Sequence, residues 1–378
     1  MIMIQSLACS VPVFRYALER WPPAPYRMYL FHDGELADAD KKVVDRIEGL
    51  WTYDARTANL ALKVVDVSQN AENEVYLKYV KEKGIKLPCM TMLYPLKRGR
   101  QNQDVPLGSW ALTNQNLDSL IASPVRSKIT EMIVDGASSV WLFIESGDEK
   151  RDKIALENLK TALKEIESLV EVPDSVAMPG EDKIVEADDQ LESGIELKIS
   201  FPVVTMSRKD TKEEFLLKML SDSEDGLAKL TDEPWAIPLF GRGRALYALV
   251  GEGISQDNIE ETCAYLSGAC SCQVKDMNPG TDILFGIDWD AVVITGTIEE
   301  KELPPLGGAG DLVAAAPGEK EVPETAVVAE SENAVGEVPK AAVADVTEGG
   351  AFQRIMITAA IAVFGLVLFA GLLIKKKG

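Results

Sequence analysis

Residues 60–94 read LALKVVDVSQNAENEVYLKYVKEKGIKLPCMTMLY and establish the order of elements in this chain. Residues 60–67 are a continuous apolar, β-branched run, which is typical of a buried strand in a parallel sheet. Residues 72–83 have apolar side chains at helical spacing, and Gly84 marks the end of that helix. The apolar run 85–94 contains Pro88 near its start. The stretch therefore predicts a strand, a helix and a second strand that a proline opens.

The residues before this stretch show the same alternation. Residues 13–21 have apolar side chains at helical spacing until Pro22 and Pro23 stop the helix. Residues 26–32 form an aromatic strand, and residues 38–51 resume as a helix with one apolar face. The first part of the chain is thus predicted as helix, strand, helix, strand, helix and proline-led strand.

Residues 122–240 repeat this order. Helices are predicted from Pro124 and over 148–169 and 211–220, and strands over 139–145, 195–204 and 235–240. Equivalent points are separated by 112, 113, 135 and 150 residues, for the pairs Pro12 and Pro124, Gly34 and Gly147, Lys63 and Lys198, and Pro88 and Pro238. Offsets that stay constant and then step are typical of a duplicated domain with loop insertions. The alternative is a chance likeness of two helix–strand alternations.

This pattern resembles the thioredoxin-like superfamily, chiefly over KVVDVSQNAENEVYLKYVKEKGIKLPCMTMLY. The resemblance implies an α/β fold with two tandem thioredoxin-like domains, at residues 1–121 and 122–298. In that superfamily the proline before the fourth strand is cis. The resemblance therefore implies cis bonds at Leu87–Pro88 and Ile237–Pro238.

Active members of the superfamily end the strand before the long helix in C-x-x-C, because the helix N-terminus lowers the pKa of the attacking thiol. The matching positions are His-Asp-Gly-Glu at 32–35 and Glu-Ser-Gly-Asp at 145–148. Neither contains cysteine, and acidic residues there are suited to cap the helix. The resemblance thus implies domains without the redox dithiol, with no catalytic residue and no cofactor.

The other cysteines leave several alternatives. Cys89 lies in an apolar strand, where a small buried side chain is the default interpretation. Cys263, Cys270 and Cys272 form a cluster, for which we expect a structural Cys263–Cys270 or Cys263–Cys272 disulfide. Buried free thiols, a reactive Cys270/Cys272 pair and a thiolate metal site are the alternatives. Metal binding is disfavoured because the only histidine is His32.

The motif Gly241-Arg242-Gly243-Arg244 is a locally basic spot. Two glycines could expose backbone N–H groups to an anion, with Arg242 and Arg244 as partners. The motif lacks the strand, turn and helix context of a phosphate loop. A plain turn with solvated arginines is therefore the favoured interpretation.

Residues 355–374, from Ile355 to Ile374, are twenty residues without a charge. A helix of this length reaches roughly 30 Å, the thickness of a bilayer's hydrocarbon core. Lys375, Lys376 and Lys377 follow at once, so the positive-inside rule puts the tail in the cytoplasm and residues 1–350 outside it, as in a periplasm. Residues 351–378 are predicted as a single-pass membrane anchor.

This topology requires an export signal, and the first ten residues offer only a short apolar run without a preceding basic residue. We expect either that the true start lies upstream or that the protein is tail-anchored with its bulk in the cytoplasm. Ser6-Leu7-Ala8-Cys9 loosely resembles the end of a lipoprotein signal, which makes Cys9 a weak lipidation candidate.

Charge limits the partners. The chain has 39 basic and 60 acidic residues, and residues 1–298 carry a net charge of −16. Residues 299–350 carry −9 and are rich in Ala, Val, Pro and Glu, which predicts a disordered acidic linker. Such a protein repels phosphate backbones, so we expect no nucleic-acid partner.

These observations predict a membrane-anchored, extracytoplasmic binding or scaffold protein with an unidentified protein partner, as in an envelope complex. The first alternative is a membrane-tethered thiol-disulfide oxidoreductase that uses Cys270 and Cys272, or Cys89. The second is a tail-anchored cytoplasmic adaptor. The sequence favours a non-enzyme without deciding the question.

Overall fold

The computed structural model describes residues 10–50, 57–96, 104–270 and 273–296. All of these residues belong to one compact unit. Cys9, Cys272, the acidic linker and the anchor at residues 351–378 lie outside the described ranges, so the predictions about them stay predictions. None of the helices within those ranges has the length and apolar character needed to cross a bilayer.

The described chain is an α/β protein with two mixed sheets. The elements of its first half are α1 (Val13–Arg20), β1 (Tyr26–His32), α2 (Asp38–Gly49), β2 (Leu60–Asp66), α3 (Glu74–Tyr76), a π-helical turn (Leu77–Lys81), β3 (Cys89–Leu93), β4 (Pro106–Ala111) and α4 (Asn114–Ile121). The elements of its second half are α5 (Pro124–Val134), β5 (Val140–Ile144), α6 (Glu149–Leu169), β6 (Val203–Met206), α7 (Glu214–Ser221), β7 (Trp235–Phe240), β8 (Arg244–Ala245), β9 (Leu249–Val250), α8 (Gln256–Ser267), β10 (Thr281–Asp282) and α9 (Trp289–Thr295).

The two sheets share one strand order. The first is β2-β1-β3-β4, in which β1 and β2 are parallel and the remaining neighbours are antiparallel. The second is β10-β8-β7-β5-β6, in which β5 and β6 are parallel and the remaining neighbours are antiparallel. Four strands of one sheet therefore match four of the other in order and direction.

One hydrophobic core joins the halves. The largest buried cluster contains Met28 and Met90 of the first sheet together with Leu142 and Ile237 of the second. Helix α1, although it precedes the first sheet, packs against α8 and β7 of the second half. The Val13 N–H donates to the Gly268 carbonyl at 2.9 Å, which fixes the start of α1 there.

The prediction of a cis bond at Ile237–Pro238 was wrong, since Leu87–Pro88 is the cis bond in the described ranges. Pro88 directly precedes β3, whereas Pro238 lies inside β7, opposite Trp141 of β5. The residue that directly precedes β7 is Pro234. On its other side β7 pairs first with β9 and then with β8, and residues 246–248 interrupt the ladder between these two strands. Pro238 lies at this interruption, where a residue without an N–H to donate is tolerated.

Two further differences concern strands. Residues 195–202 were predicted as the start of a strand, but the ladder with β5 covers only Val203–Met206. Residues 104–121, for which the sequence analysis made no prediction, form β4 and α4. Strand β4 pairs antiparallel with β3 and completes the first sheet.

Candidate functional site: two loop corners

Two matching loops follow β1 and β5, at residues 32–35 and 145–148, where the sequence contains no cysteine. Phe31 is opposite Cys89 in the first sheet, and Ile144 is opposite Trp235 in the second. Gly34 and Gly147 each come three residues later, both with a positive φ, of 69° and 96°. We call residues 32–35 the first corner and residues 145–148 the second corner.

The first corner is closed by a carboxylate from the end of β2. Asp66 Oδ1 accepts hydrogen bonds from the N–H groups of Gly34 at 3.1 Å and Ser68 at 2.9 Å. Hydrogen bonds from Ser68 and from the Gly34 backbone lower the pKa of Asp66. His32 Nδ1 lies 2.7 Å from the Gly34 carbonyl and must donate there, because a carbonyl only accepts. The His32 ring and the Gly34 backbone are thus both held by hydrogen bonds within this corner.

Among the cysteines that the structure describes, Cys89 is the one beside the first corner. Its side chain is fully buried and free of a disulfide. Burial raises the pKa of the Cys89 thiol to about 11, and Thr91 only partly opposes that shift. At neutral pH about one molecule in ten thousand would carry the thiolate, which is the nucleophilic form. Cys89 is therefore unsuited to thiol exchange in the folded protein.

The second corner is closed by Asp152 from the first turn of α6. Its carboxylate accepts from the Ser146 N–H at 2.8 Å, the Ser146 hydroxyl at 2.6 Å and the Gly147 N–H at 3.0 Å. Asp148 caps α6 by accepting from Lys150 and Arg151, and these backbone bonds help to lower the pKa of Asp148. A carboxylate thus occupies the helix N-terminus that would otherwise activate a thiol.

Cations line the second corner, and each has a partner. Arg151 pairs with Glu233 at 2.9 Å. The Arg208 guanidinium stacks 3.9 Å from the ring centroid of Trp235 and donates to the Glu233 carbonyl. Burial lowers the pKa of Arg208. The arrangement ties Arg151 and Arg208 to Glu233, in the loop before β7.

The predicted Cys263–Cys270 disulfide is not formed, because Cys263 is a free thiol. Cys272, the other predicted partner, lies outside the described residues. Cys263 lies in a cluster between α6, α8 and the second sheet, with Trp141 and Leu159. Cys270 lies in another cluster, with Phe14 of α1, and its N–H donates to the Val11 carbonyl. The chain beyond α8 runs to α1 instead of folding back over α8. Burial raises the pKa of Cys263 to about 12, and Glu167 adds to the shift.

Arg242 and Arg244 do not form an anion site. Both are buried, with 9% and 7% of their surfaces exposed. Arg242 donates to the carbonyls of Leu18 and Glu19 and pairs with Asp290, while Arg244 pairs with Asp282 and donates to two carbonyls. They link α1, β8 and β10, so their role is structural.

Within the described ranges no group of three or more His, Cys, Asp or Glu side chains could hold a metal ion. Two solvent-open depressions lie along α6, at Lys160 and Lys164. No family model matches the chain, and no curated protein does. The proposed function therefore rests on the geometry of the two corners.

The sequence analysis missed the residues that close the corners. Asp66 is visible as an acidic residue at the end of an apolar strand, and Asp152 follows the capping residue Asp148 by four positions. Pro234 was overlooked because Pro238 lies nearer the centre of the apolar run. Acidic residues just after a strand or just inside a helix are the signal that would have found the first two.

Proposed function

We propose that both halves have a thioredoxin-like fold without the redox dithiol, and that the protein acts as a binding or scaffold protein. In this proposal residues 355–374 anchor it in a membrane, the head is extracytoplasmic and Lys375–377 are cytoplasmic. The shared strand order and the matching loops after β1 and β5 support the fold assignment. The partner is a protein, as in an envelope complex.

One observation carries the functional part. Asp66 and Asp152 each accept backbone N–H groups at the corner where a reactive thiol would need them. A thiolate placed at either corner would be repelled by the neighbouring carboxylate, and this repulsion would raise the pKa of the thiol. The corners are consequently built to be closed, which favours recognition over chemistry.

Insulin reduction and thiol titration of the full-length chain test this proposal. We expect no turnover above the rate of free thiols in solution. The alternative, a thiol-disulfide oxidoreductase, requires turnover that is lost in Cys270→Ser/Cys272→Ser or in Cys89→Ser. Such a result would overturn the redox-inactive role.

The topology needs a separate measurement. Protease added to intact cells, or to spheroplasts if an outer membrane is present, should digest the head while the tail stays protected. Digestion only after lysis would place the head in the cytoplasm and favour the tail-anchored adaptor. A version without residues 351–378 serves as the control, because it should leave the membrane fraction.

A further inference from the structure

One row of residues crosses the first sheet from edge to edge. Lys63 of β2 lies opposite Tyr29 of β1, Tyr29 opposite Thr91 of β3, and Thr91 opposite Ser109 of β4. Adjacent side chains in such a row point to the same face. We call this surface, defined by these four residues, the Tyr29 face.

The second sheet has an equivalent row with a different character. Val204, Leu142 and Ile237 occupy the positions of Lys63, Tyr29 and Thr91, as the ladder pairs show. Each is at most 2% exposed. They share a buried cluster with Ile129 and Ile133 of α5, which packs against β5 and β6. A helix therefore covers this face in the second half.

The helix that would do the same in the first half is elsewhere. Helix α1 precedes β1 as α5 precedes β5, but α1 packs against α8 and β7. The buried cluster on the Tyr29 side draws Val75, Tyr79 and Val80 from α3 and the π-helical turn, and no other described helix contributes to it. Lys63 is exposed and Tyr29 and Ser109 are half-buried, whereas Thr91, in the middle of the row, is fully buried. The exposed Lys63 and the half-buried Ser109 mark the edges of the face that α3 and the π-helical turn leave partly uncovered.

The rim of this face carries lysines beside aromatic rings. Lys63 Nζ lies 5.7 Å from the ring centroid of Tyr29, and Lys78 and Lys83 lie 5.0 and 5.8 Å from that of Tyr79. None of the three lysines is ion-paired with a carboxylate of the described residues. At physiological salt, charges are screened beyond about 8 Å, so a ligand on this face interacts more strongly with the nearby lysines than with the net negative charge of the chain.

We propose that the Tyr29 face docks an amphipathic helix of a partner protein that carries carboxylates beside its apolar stripe. Helix α5 on the second sheet supplies the shape, since it shows that one short helix fits the equivalent face. Lys63, Lys78 and Lys83 supply the charge preference, and Tyr29 with the half-buried Tyr76 supplies the apolar contact. Helix-in-groove recognition of this kind combines apolar anchors with a charged edge.

The probe is a fluorescent helix-forming peptide of about 14 residues of Leu, Ala and Glu, with a counterpart that has Lys in place of Glu. Titrated with the full-length protein, the acidic peptide should show saturable anisotropy with a Kd of roughly 10–100 µM. The basic peptide should bind at least about 10-fold more weakly. Equal binding of both peptides, or no saturable binding up to about 1 mM, overturns the proposal.

Variants locate the binding. Lys63→Gln/Lys78→Gln/Lys83→Gln should weaken the acidic peptide roughly 10-fold, and Ser109→Trp, which keeps the charge, should block the face. The matched control is Lys150→Gln/Lys160→Gln/Lys164→Gln, three exposed lysines of α6, which should change binding less than 2-fold. An equal loss in this control overturns the assignment.

An oligothymidylate probe separates protein from nucleic acid. Aromatic rings with lysines also suit single-stranded nucleic acid, and tighter binding of the oligonucleotide than of the acidic peptide would overturn the proposal. The Tyr29 face as a docking surface rests on the proposed binding function, but that function does not depend on the Tyr29 face. A protein without thiol activity that binds neither peptide keeps that role and loses this surface.

Discussion

Arg15 and Glu19 form an ion pair at 2.8 Å in which each side chain is only 1% exposed. Arg15 also donates to the Ser193 carbonyl, and Glu19 accepts from the Glu192 N–H. The pair thus ties α1 to a segment of the second half. Burial lowers the pKa of Arg15, and the Glu19 charge opposes that shift.

Glu19→Ala should destabilise the protein by about 3–5 kcal/mol, because it leaves the Arg15 charge buried without its partner. Urea unfolding followed by tryptophan fluorescence measures the change. Glu157→Ala is the control, since its pair with Lys153 spans the same four residues but is exposed, and about 0.5 kcal/mol is expected there. Equal effects of the two substitutions would show that the buried pair has no special role.

A second comparison tests whether the charge or its isolation matters. Arg15→Met/Glu19→Leu removes both charges and keeps similar volume, so it should be less destabilising than Glu19→Ala alone. The same urea titration measures it. If the double variant has a lower free energy of unfolding than Glu19→Ala, the hydrogen bonds to Ser193 and Glu192 contribute more than the charge pairing.

The sequence predicts elements better than it predicts their neighbours. The predicted bounds of β1 and β7 agree with the structure, because an aromatic or apolar run between prolines or turns marks a strand locally. The placement of α1 could not be predicted. Its residues from Val13 to Glu19 are all buried, Arg15 and Glu19 included, so the polar positions in its sequence do not mark a solvent-facing side.

The corners show the same limit. The sequence shows directly that residues 32–35 and 145–148 contain no cysteine. It does not show that Asp66 reaches Gly34 from 32 positions away, or that Asp152 reaches Ser146 across the start of α6. The prediction of a Cys263–Cys270 disulfide was wrong because spacing alone does not reveal that Cys263 and Cys270 face different clusters. Long-range packing decided each of these outcomes.

Gly243→Ala should be more destabilising than Gly147→Ala. Both glycines have positive φ, of 85° and 96°, so each substitution carries the cost of about 1 kcal/mol for a side chain in that conformation. A Cβ at Gly147 would meet nothing, while one at Gly243 would collide with the Phe285 ring. We expect an additional 1–3 kcal/mol, on the order seen for overpacking, in urea unfolding. Equal losses would mean that the Phe285 ring moves freely aside.

Asp152→Ala should loosen the second corner. It leaves the N–H groups of Ser146 and Gly147 without their acceptor, which costs about 2–4 kcal/mol in the free energy of unfolding. Glu149→Ala, an exposed acidic residue in the same turn, is the matched control and should cost about 0.5 kcal/mol or less. Amide exchange at Ser146 and Gly147 should accelerate only in Asp152→Ala, and acceleration in both variants would contradict the role of the carboxylate.

Cys89 should make the protein less stable in alkali. Its pKa is about 11 in the folded state and about 8.5 in an unfolded chain, so the folded state holds the thiol proton more tightly. The resulting stability is fully present below pH 8.5 and is lost as pH rises through 11. Cys89→Val, which keeps the apolar volume but cannot ionise, should remove about 2 to 2.5 kcal/mol from the difference in unfolding free energy between pH 8 and pH 10.5. Urea unfolding at both pH values measures it, and parallel losses in the two proteins would show that lysines and tyrosines account for the alkaline instability.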